Sequence, residues 1–125
     1  MTSPRGEITI QTLAMPADTN ANGDIFGGWI LSQMDLAAGV LAKQVAKGRV
    51  VTIAINSMTF LKPVHVGDVV SCYADMIKVG KTSMTIAVEV WAQPYTFHEK
   101  YRVTEGVFVF VAIDDNGKAR AVKTS

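Results

Sequence analysis

A polar turn leads directly into a long helix in the segment Asp18-Thr-Asn-Ala-Asn-Gly-Asp-Ile-Phe-Gly-Gly-Trp-Ile-Leu-Ser-Gln-Met-Asp-Leu-Ala-Ala-Gly39. Its first residues are mostly Asp, Asn and Gly, which tolerate left-handed backbone and bond their own main chain, so we predict a structured loop over residues 18–24. Gly27 and Gly28 allow close approach to the backbone where the helical spacing begins. A helix N-terminus offers unpaired N–H groups and the positive end of a dipole. This junction therefore suits an oxyanion or a polarised carbonyl.

The helix has one broad apolar face and one carboxylate at its edge. On a wheel of about 100° per residue, the apolar arc contains Ile30, Leu31, Met34, Ala37, Ala38, Leu41, Ala42 and Val45. Asp35 falls at the edge of this arc, between Leu31 and Ala38. A carboxylate in that position is either a boundary residue that reaches water or a placed functional group, and the pattern alone allows both.

Three further apolar residues lie on the side of the helix that should face water. They are Trp29, Leu36 and Val40, which are close to one another on the wheel. A monomer would expose them, so they indicate either a contact between subunits or a loop of the same chain that covers them.

The rest of the chain predicts about five long antiparallel strands. The predicted strands are Ile8–Met15, Val51–Lys62, Val69–Val79, Met84–Trp91 and Tyr101–Ile113, and a tail follows the last of them. In the fourth strand, apolar residues alternate with more polar ones, which predicts one buried face. The last strand is apolar on both faces and is predicted to be central or to pack on a partner. One helix and five strands give an α+β layer, and since one helix cannot cover both faces of the sheet, we expect another subunit to cover the outer face.

Composition excludes several classes of protein. The chain has 125 residues, enough for a single domain spanning 1–125, and 49% of them are hydrophobic. A net charge of +1 with scattered basic residues argues against nucleic acid as a partner. No apolar run is long enough for a membrane span, and no secretory signal is evident, so we expect a cytoplasmic protein. Cys72, the single cysteine, is expected in the core.

Five motifs, in this order and spacing, resemble those of the hot-dog-fold acyl-CoA thioesterases, in particular the short bacterial YciA-like branch. The motifs are Asn20-Ala-Asn-Gly23, Gly27-Gly28-Trp29, Ser32-Gln-Met-Asp-Leu-Ala-Ala-Gly39, Phe60-Leu-Lys-Pro-Val-His-Val-Gly-Asp68 and Lys78-Val-Gly-Lys-Thr-Ser83. The resemblance extends from about Thr12 to Asp115. It implies a hot-dog fold, with the sheet wrapped around the helix and dimerised into a longer sheet, and further assembly into trimers of dimers. It also implies hydrolysis of acyl-CoA over a broad, short-to-medium range of chain length, without a cofactor, since coenzyme A belongs to the substrate and product.

Thioester hydrolysis needs a polariser for the carbonyl and a carboxylate or base that attacks or activates water. Gly27 and Gly28 can supply backbone N–H donors, and Asn20 can supply a side-chain amide. Asp35 is the only acid on a largely apolar helix face and is the best candidate for the base or nucleophile. The resemblance implies that Asn20 and Asp35 are the catalytic pair, contributed by different subunits. Direct attack and activation of water both remain open.

Binding of coenzyme A requires contacts to phosphates. The segment Gly80-Lys81-Thr82-Ser83 offers backbone N–H groups, hydroxyls and a cation, although the same residues also form an ordinary hairpin turn. The resemblance favours the phosphate-binding interpretation. Further candidates for contact with the coenzyme are Lys62, Arg49, Arg102 and Phe60.

The remaining polar residues mostly favour structural interpretations. Asp24 is expected to cap the helix or lie in its first turn, and Glu89 and Glu105 are expected to be ion-paired at the surface. His65 and His98 are expected at the surface, away from a suitable acid, which argues against a dehydratase. No Cys/His cluster suggests a metal. The alternative to an enzyme is a non-catalytic hot-dog module that binds acyl-CoA or acts as a scaffold.

Overall fold

The computed structural model describes residues 3–94, 96 and 99–122. Its elements in chain order are β1 (Glu7–Leu13), a 3-10 turn (Pro16–Asp18), α1 (Gly27–Ala46), β2 (Val50–Phe60), β3 (Val69–Val79), β4 (Ser83–Gln93) and β5 (Tyr101–Ala112). The strands form one antiparallel sheet in the order β1-β3-β4-β5-β2, and α1 packs against all five. The predicted α+β architecture is confirmed. No helix within the described residues is long and apolar enough to cross a membrane.

Helix α1 packs on the sheet through four alanines, one isoleucine and one methionine. Its buried residues are Ile30, Met34, Ala37, Ala38, Ala42 and Ala46, so the predicted apolar arc does face the core. A Cβ at Gly39 would lie 3.6 Å from the Phe110 ring, so the small residue permits a close approach between helix and β5. The helix ends at Ala46, and its C-cap residue Lys47 has a left-handed backbone with a φ of 53°.

The outer face of β4 is buried, although alternation predicts that it faces water. Trp91 is 5% exposed and Glu89 is 8% exposed, on the side away from α1. The N-terminal segment lies against this face, since the Arg5 backbone N–H donates to Glu89 Oε1 at 3.2 Å and Arg5 Nε to Asp75 Oδ2 at 2.6 Å. The prediction failed because β4 is the central strand of the sheet, with a neighbour on each side and chain covering both faces.

Strand β2 forms an edge of the sheet and presents apolar side chains outwards. Its only strand partner among the described residues is β5. Val51, Ile53 and Ile55 are 43%, 58% and 41% exposed, while Thr52 and Ala54 are half-buried. A long apolar edge strand with free backbone groups is a template for pairing with another chain. The location of β5 between β4 and β2 agrees with the prediction that the last strand is central.

The three apolar residues on the outer side of α1 divide into two groups. Leu36 is 57% exposed, whereas Trp29 and Val40 are half-buried and Trp29 packs against the core. A contact between subunits therefore remains the prediction for Leu36. The chain itself partly covers Trp29.

The predicted tail is packed as far as the described chain extends. Arg120 donates to the carbonyls of Ala46 and Ile113 at 2.9 and 3.1 Å, and the Val122 N–H donates to Lys81 O at 2.8 Å. The guanidinium thus satisfies a terminal carbonyl of α1, where a cation also complements the helix dipole.

Candidate active site

The loop before α1 holds Asn20 with its amide oxygen turned inwards. Asn20 Oδ1 accepts from the backbone N–H of Asn22 at 2.9 Å and of Asp24 at 3.1 Å. Thr19 and Ile25 form an isolated antiparallel β-bridge, which closes the loop immediately before the helix. Two backbone donors fix which end of the amide is oxygen. The Nδ2 group of Asn20 has no partner among the described residues and can donate to a ligand.

The N-terminus of α1 has no side-chain cap. Phe26 is the N-cap residue and makes no capping hydrogen bond. The N–H groups of Gly27 and Gly28 donate to no acceptor in the described part of the chain, and both glycines are exposed. A Cβ at Gly28 would meet nothing within 4 Å, so there is room for a ligand above these amides. They are free donors at the positive end of a 20-residue helix.

An apolar pocket of about 350 Å³ opens beside these amides. Its lining includes Gly27, Ile30, Phe60 and Lys62. A Cβ at Gly27 would lie 3.6 Å from the Phe60 ring, which shows how closely the end of β2 approaches the start of α1. The pocket is suited to an apolar arm whose polar end reaches the free N–H groups.

Asp35 is half-buried and is held by a hydroxyl from β2. Thr52 Oγ1 donates to Asp35 Oδ1 at 2.7 Å, which leaves Oδ2 without a hydrogen-bond partner in the described chain. Thr52 is absent from the residues predicted from sequence, because its contact with Asp35 depends on how the helix packs on the strand. One signal was available, namely a hydroxyl on the helix-facing side of an otherwise apolar strand.

The donors and the carboxylate lie at opposite ends of β2. Asp35 meets Thr52 near the start of this strand, and Gly27 meets Phe60 at its end. Asp35 follows Gly27 by eight residues on α1, which corresponds to roughly 12 Å along the helix axis, and the free N–H groups point away from it, out of the helix N-terminus. A carbonyl group held at these N–H groups would therefore lie beyond hydrogen-bond reach of Asp35 of the same chain.

The residues predicted to contact coenzyme A also lie at the two opposite ends of β2. Phe60 and Lys62 line the apolar pocket at the end of β2. Arg49 precedes the start of β2, and the segment Gly80–Ser83 lies at the same end, because the Ala112 N–H donates to Thr82 O and Ala112 pairs with Val50. The Gly80 N–H donates to Ser83 O at 2.8 Å, so its hydrogen bond is made within the hairpin turn. Its backbone amide is therefore not a free phosphate donor.

Asp24 differs from its predicted position, whereas His65 lies at the surface as predicted. Asp24 is not a cap of α1, which begins at Gly27 and has no acid in its first turn. Its Oδ1 lies 3.9 Å from Nδ1 of the exposed His65, so the fold brings this histidine close to an acid that local spacing did not indicate. The distance exceeds that of a hydrogen bond. His98 lies outside the described residues.

Glu89 was predicted at the surface, but it is buried. Its Oε1 accepts from Trp91 Nε1 at 2.9 Å, and its Oε2 lies 3.8 Å from Arg102. Arg102 also pairs with the exposed Glu105 at 3.4 Å. The prediction failed because the partners of Glu89 come from β5 and the N-terminus, which no local pattern brings together.

Two buried groups have structural roles. Asp68 is 2% exposed and accepts from the His65 N–H at 3.0 Å and from the Tyr101 hydroxyl at 3.3 Å. Burial, with a further contribution from Asp68, raises the pKa of Tyr101 to about 12, so its hydroxyl remains a donor. Burial likewise raises the pKa of Cys72 to about 12, and this thiol lies in the core as predicted. No metal-binding group of His, Cys, Asp or Glu occurs within the described chain.

A model of a known protein family matches the region of the chain that contains most of this candidate site. A model described as the thioesterase superfamily matches residues 22–96, which include the free helix amides, Asp35 and Thr52. The chain belongs to the thioesterase superfamily. One similar protein is the acyl-CoA thioester hydrolase YciA of Escherichia coli strain K12, which is 53% identical over 95% of this chain and 92% of its own length.

Solved structures show the same architecture. The hexameric thioesterase y2039 of Yersinia pestis has a TM-score of 0.93 and 57% identity, over 98% of this chain and all of that one (100%). An aspartate-to-alanine mutant of HI0827, described as a hexameric broad-specificity acyl-coenzyme A thioesterase, has a TM-score of 0.94 and 53% identity, over 97% of this chain and 89% of that one. The fold of this superfamily member is thus the hot-dog fold that the sequence motifs implied.

Proposed function

We propose that this protein is an acyl-CoA thioesterase, which hydrolyses acyl-CoA to free coenzyme A and a carboxylic acid. Relatives of the same superfamily that span nearly its whole length carry this activity in their names. The observation that carries the proposal is the division of the candidate catalytic groups between the two ends of β2. Free donors lie at one end, a held carboxylate lies at the other, and the edge between them is unpaired.

Pairing of two copies through β2 would bring the free donors of one copy close to the Asp35 carboxylate of the other. In an antiparallel pair of identical strands, residues equidistant from the two-fold axis lie opposite one another. Asn56 lies midway between Thr52 and Phe60. If the axis passes at Asn56, the Asp35–Thr52 pair of one copy lies opposite Phe60 and the Gly27 amide of the other. The same pairing satisfies the free edge of β2 and makes the sheet continuous across both copies.

We infer a homodimer as the minimal active unit, and a trimer of dimers as the full assembly. The structural relatives are described as hexamers, which agrees with three such dimers. The exposed Leu36 and the outward-facing Val51, Ile53 and Ile55 are apolar surface that further subunits would cover. A cytoplasmic location remains part of the proposal.

Each polar group has a role in the proposed reaction. Asn20 Nδ2 and the Gly27 and Gly28 amides stabilise the carbonyl oxygen as negative charge develops on it, and each donor of this kind typically contributes about 2.7–4 kcal/mol. Asp35 of the opposite copy presents its free Oδ2, either attacking the thioester carbon or removing a proton from water. Direct attack gives a mixed anhydride on Asp35 that water then hydrolyses, whereas activated water gives the carboxylic acid in one displacement. In both cases the sulfur leaves as a thiolate, which takes up the proton that water releases and becomes the thiol of coenzyme A. Neither alternative needs a metal or an organic cofactor.

The same pairing gathers the predicted contacts to coenzyme A. With the axis at Asn56, the end of β2 at Phe60 would lie near the start of the partner's β2, which brings Lys62, two residues beyond that end, towards the segment that contains Arg49 in the other copy. The hairpin Gly80–Ser83 of the partner lies at that end of the sheet. In the proposal, Phe60 and Lys62 of one copy thus contact the coenzyme together with Arg49, Lys81, Thr82 and Ser83 of the other.

The test of the proposed function is release of free thiol. Purified protein is incubated with acyl-CoA esters from acetyl to palmitoyl, and the thiol is measured with a chromogenic disulfide. Turnover of short and medium chains is expected. Binding of acyl-CoA without any thiol release would instead identify a non-catalytic binding module and overturn the proposal.

Replacement of Thr52 tests how Asp35 is positioned. Thr52→Val removes the hydroxyl that donates to Asp35 Oδ1 while keeping the shape of the side chain. A hydrogen bond to a charged group contributes about 1.5–3 kcal/mol, so we expect kcat/KM to fall roughly tenfold or more. Thr52→Ser keeps the donor and should retain most of the activity, with both variants melting near the wild-type temperature. A Thr52→Ser variant as impaired as Thr52→Val would argue for a packing role instead.

A further inference from the structure

Ile25 lies between the two groups of donors that are proposed to polarise the thioester carbonyl. It forms the β-bridge with Thr19 that closes the loop around Asn20, and it precedes Gly27 by two residues. Its side chain is 5% exposed, and its backbone N–H donates to Val64 O at 3.2 Å. The position of Ile25 therefore affects the side-chain amide of the loop and the free N–H groups of the helix together.

A buried carboxylate holds the peptide unit that accepts this hydrogen bond. The carbonyl of Val64 and the N–H of His65 belong to one planar trans peptide, in which they point in opposite directions. The carbonyl accepts from the Ile25 N–H, and the His65 N–H donates to Asp68 Oδ2 at 3.0 Å. Rotation of this peptide would break both hydrogen bonds. The Asp68 carboxylate, on a residue that is 2% exposed, therefore fixes the direction of the Val64 carbonyl.

A tight turn places the Asp68 carboxylate at the His65 N–H. The Asp68 N–H donates to His65 O at 3.0 Å, and Gly67 between them has a φ of 93°, which glycine adopts without strain. The turn is also tied to the chain after β1, because the Ala14 N–H donates to Asp68 O at 3.0 Å and the Gly67 N–H donates to Ala14 O at 2.9 Å. The carboxylate is thus anchored independently of helix α1.

Tyr101 of β5 contacts the same group of atoms. Its hydroxyl lies 2.9 Å from Pro63 O and 3.3 Å from Asp68 Oδ2, within donating distance of both. Pro63 directly precedes Val64, so the backbone is held on each side of the carbonyl that accepts from Ile25. Hydrogen bonds in such a chain polarise one another, so the carboxylate also strengthens the Val64 carbonyl as an acceptor.

We propose that Asp68 is a positioning residue for thioester hydrolysis. Its carboxylate fixes the Val64–His65 peptide, this peptide holds Ile25, and Ile25 holds both groups of donors near the oxygen on which negative charge develops. The inference rests on the proposed function. It adds to the structural role of Asp68 an effect on the transition state, although this side chain touches neither the substrate nor the reacting atoms.

Two substitutions of Asp68 separate the hydrogen bond from the packing. Asp68→Leu removes the acceptor and fills a similar volume, whereas Asp68→Asn keeps an amide oxygen that can accept from the His65 N–H. We expect kcat for acyl-CoA hydrolysis to fall about tenfold in Asp68→Leu, less than the 10²–10³-fold typical of losing one donor, because the donors are displaced and not removed. Asp68→Asn should retain at least about half of the wild-type kcat, since the hydrogen bond remains.

The KM for acyl-CoA should stay within about twofold of the wild-type value in Asp68→Leu, because an interaction that matters only in the transition state affects kcat and not KM. Leu61 and Lys62 line the pocket and are held separately, since their N–H groups donate to Val103 O at 2.8 and 3.2 Å. The fall in kcat without a rise in KM is the result that a general loosening of the fold would not give.

Affinity for a mimic of the transition state gives a second measurement. A trifluoromethyl ketone analogue of acyl-CoA hydrates to a tetrahedral diol, whereas desulfo-CoA has no carbonyl group. Calorimetry should show that Asp68→Leu binds the ketone more weakly, by about the factor lost in kcat/KM, because the donors are complementary to the tetrahedral species. Its affinity for desulfo-CoA should equal that of the wild type.

Asp114→Leu is the matched control. Asp114 also accepts backbone N–H groups within a turn, from Asn116 and Lys118 at 2.9 Å each, but its turn follows β5. This variant should keep the wild-type kcat. If Asp68→Leu does not fold, Tyr101→Phe replaces it, since that change removes only the hydroxyl. It should lower kcat about threefold and leave KM unchanged, as expected for loss of one neutral donor.

Three results would overturn the inference. They are a wild-type kcat in Asp68→Leu (or in Tyr101→Phe where Asp68→Leu does not fold), an equal loss of affinity for both analogues, and an Asp68→Asn variant as impaired as Asp68→Leu. Absence of thiol release by the wild type would be a failure of the proposed function instead. Amide hydrogen exchange then still tests the contact, because the Ile25 N–H should exchange faster in the impaired variant, and unchanged exchange refutes it.

Discussion

Replacing Asp35 by asparagine should lower kcat for acyl-CoA hydrolysis by about 10³-fold, within the range expected for loss of a general base. Asparagine keeps the shape of the side chain, and its amide oxygen can still accept from Thr52 Oγ1. What disappears is the negative charge, which the reaction needs whether the carboxylate attacks the thioester or activates water. Steady-state release of free thiol, measured with saturating acyl-CoA, gives kcat directly.

The loss should affect the chemical step and not binding. Desulfo-CoA should bind Asp35→Asn with nearly wild-type affinity, since the substitution keeps the shape of the side chain and removes none of the predicted contacts to the coenzyme. Asp115→Asn changes an exposed acid in the turn after β5 and should leave kcat unaltered. A kcat for Asp35→Asn within fivefold of wild type would remove Asp35 from the mechanism.

The helix and its junction could be predicted because their determinants are local. The arc from Ile30 to Val45 follows from a 3.6-residue period, and the half-buried position of Asp35 follows from its place at the edge of that arc. The loop around Asn20 follows from side chains that bond their own backbone, as the two hydrogen bonds to Asn20 Oδ1 show. Within such segments, a sequence specifies both the element and the direction of its polar groups.

Contacts between distant segments could not be predicted in this way. Glu89 was expected at the surface, yet it is buried beneath Arg5 and beside Trp91, because the N-terminal segment crosses the outer face of β4. The contact between Thr52 and Asp35 depends on the packing of α1 against β2. Alternation along a strand distinguishes its two faces, but it does not show what covers each of them.

The exposed apolar side chains of β2 also show that alternation alone does not predict which face of a strand is buried. Alternation correctly separates Val51, Ile53 and Ile55 from Thr52 and Ala54, and in an isolated domain the apolar set would face the core. In this chain the apolar set faces outwards, on an edge strand without a second neighbour among the described residues. The position of β2 at the edge of the sheet therefore decides which of its faces is buried, and the alternation of residue types does not. Pairing with β2 of another copy would satisfy the free backbone groups of this edge, and the same pairing would complete the active site.

Mixing two inactive variants tests whether the site is shared between copies. Asn20→Ala removes the side-chain amide that polarises the carbonyl, and loss of one such donor typically lowers kcat by about 10²–10³-fold. Asp35→Asn removes the carboxylate. If each site uses Asn20 from one copy and Asp35 from the other, a mixed dimer contains one site with both defects and one intact site. Random assembly makes about half of the dimers mixed, so co-produced chains should recover roughly a quarter of wild-type activity.

Recovery on that scale distinguishes the two possible arrangements. If Asn20 and Asp35 acted within one chain, every site would retain one defect and the mixture would be no more active than the average of its parents. A suitable control pairs Asn20→Ala with a chain carrying both substitutions, since no arrangement of those chains restores an intact site. Recovery in the first mixture without recovery in the control requires that the two residues meet across the interface. The spacing along α1 provides the physical reason, because roughly 12 Å of helix separates the free N–H groups near Gly27 from Asp35 of the same chain.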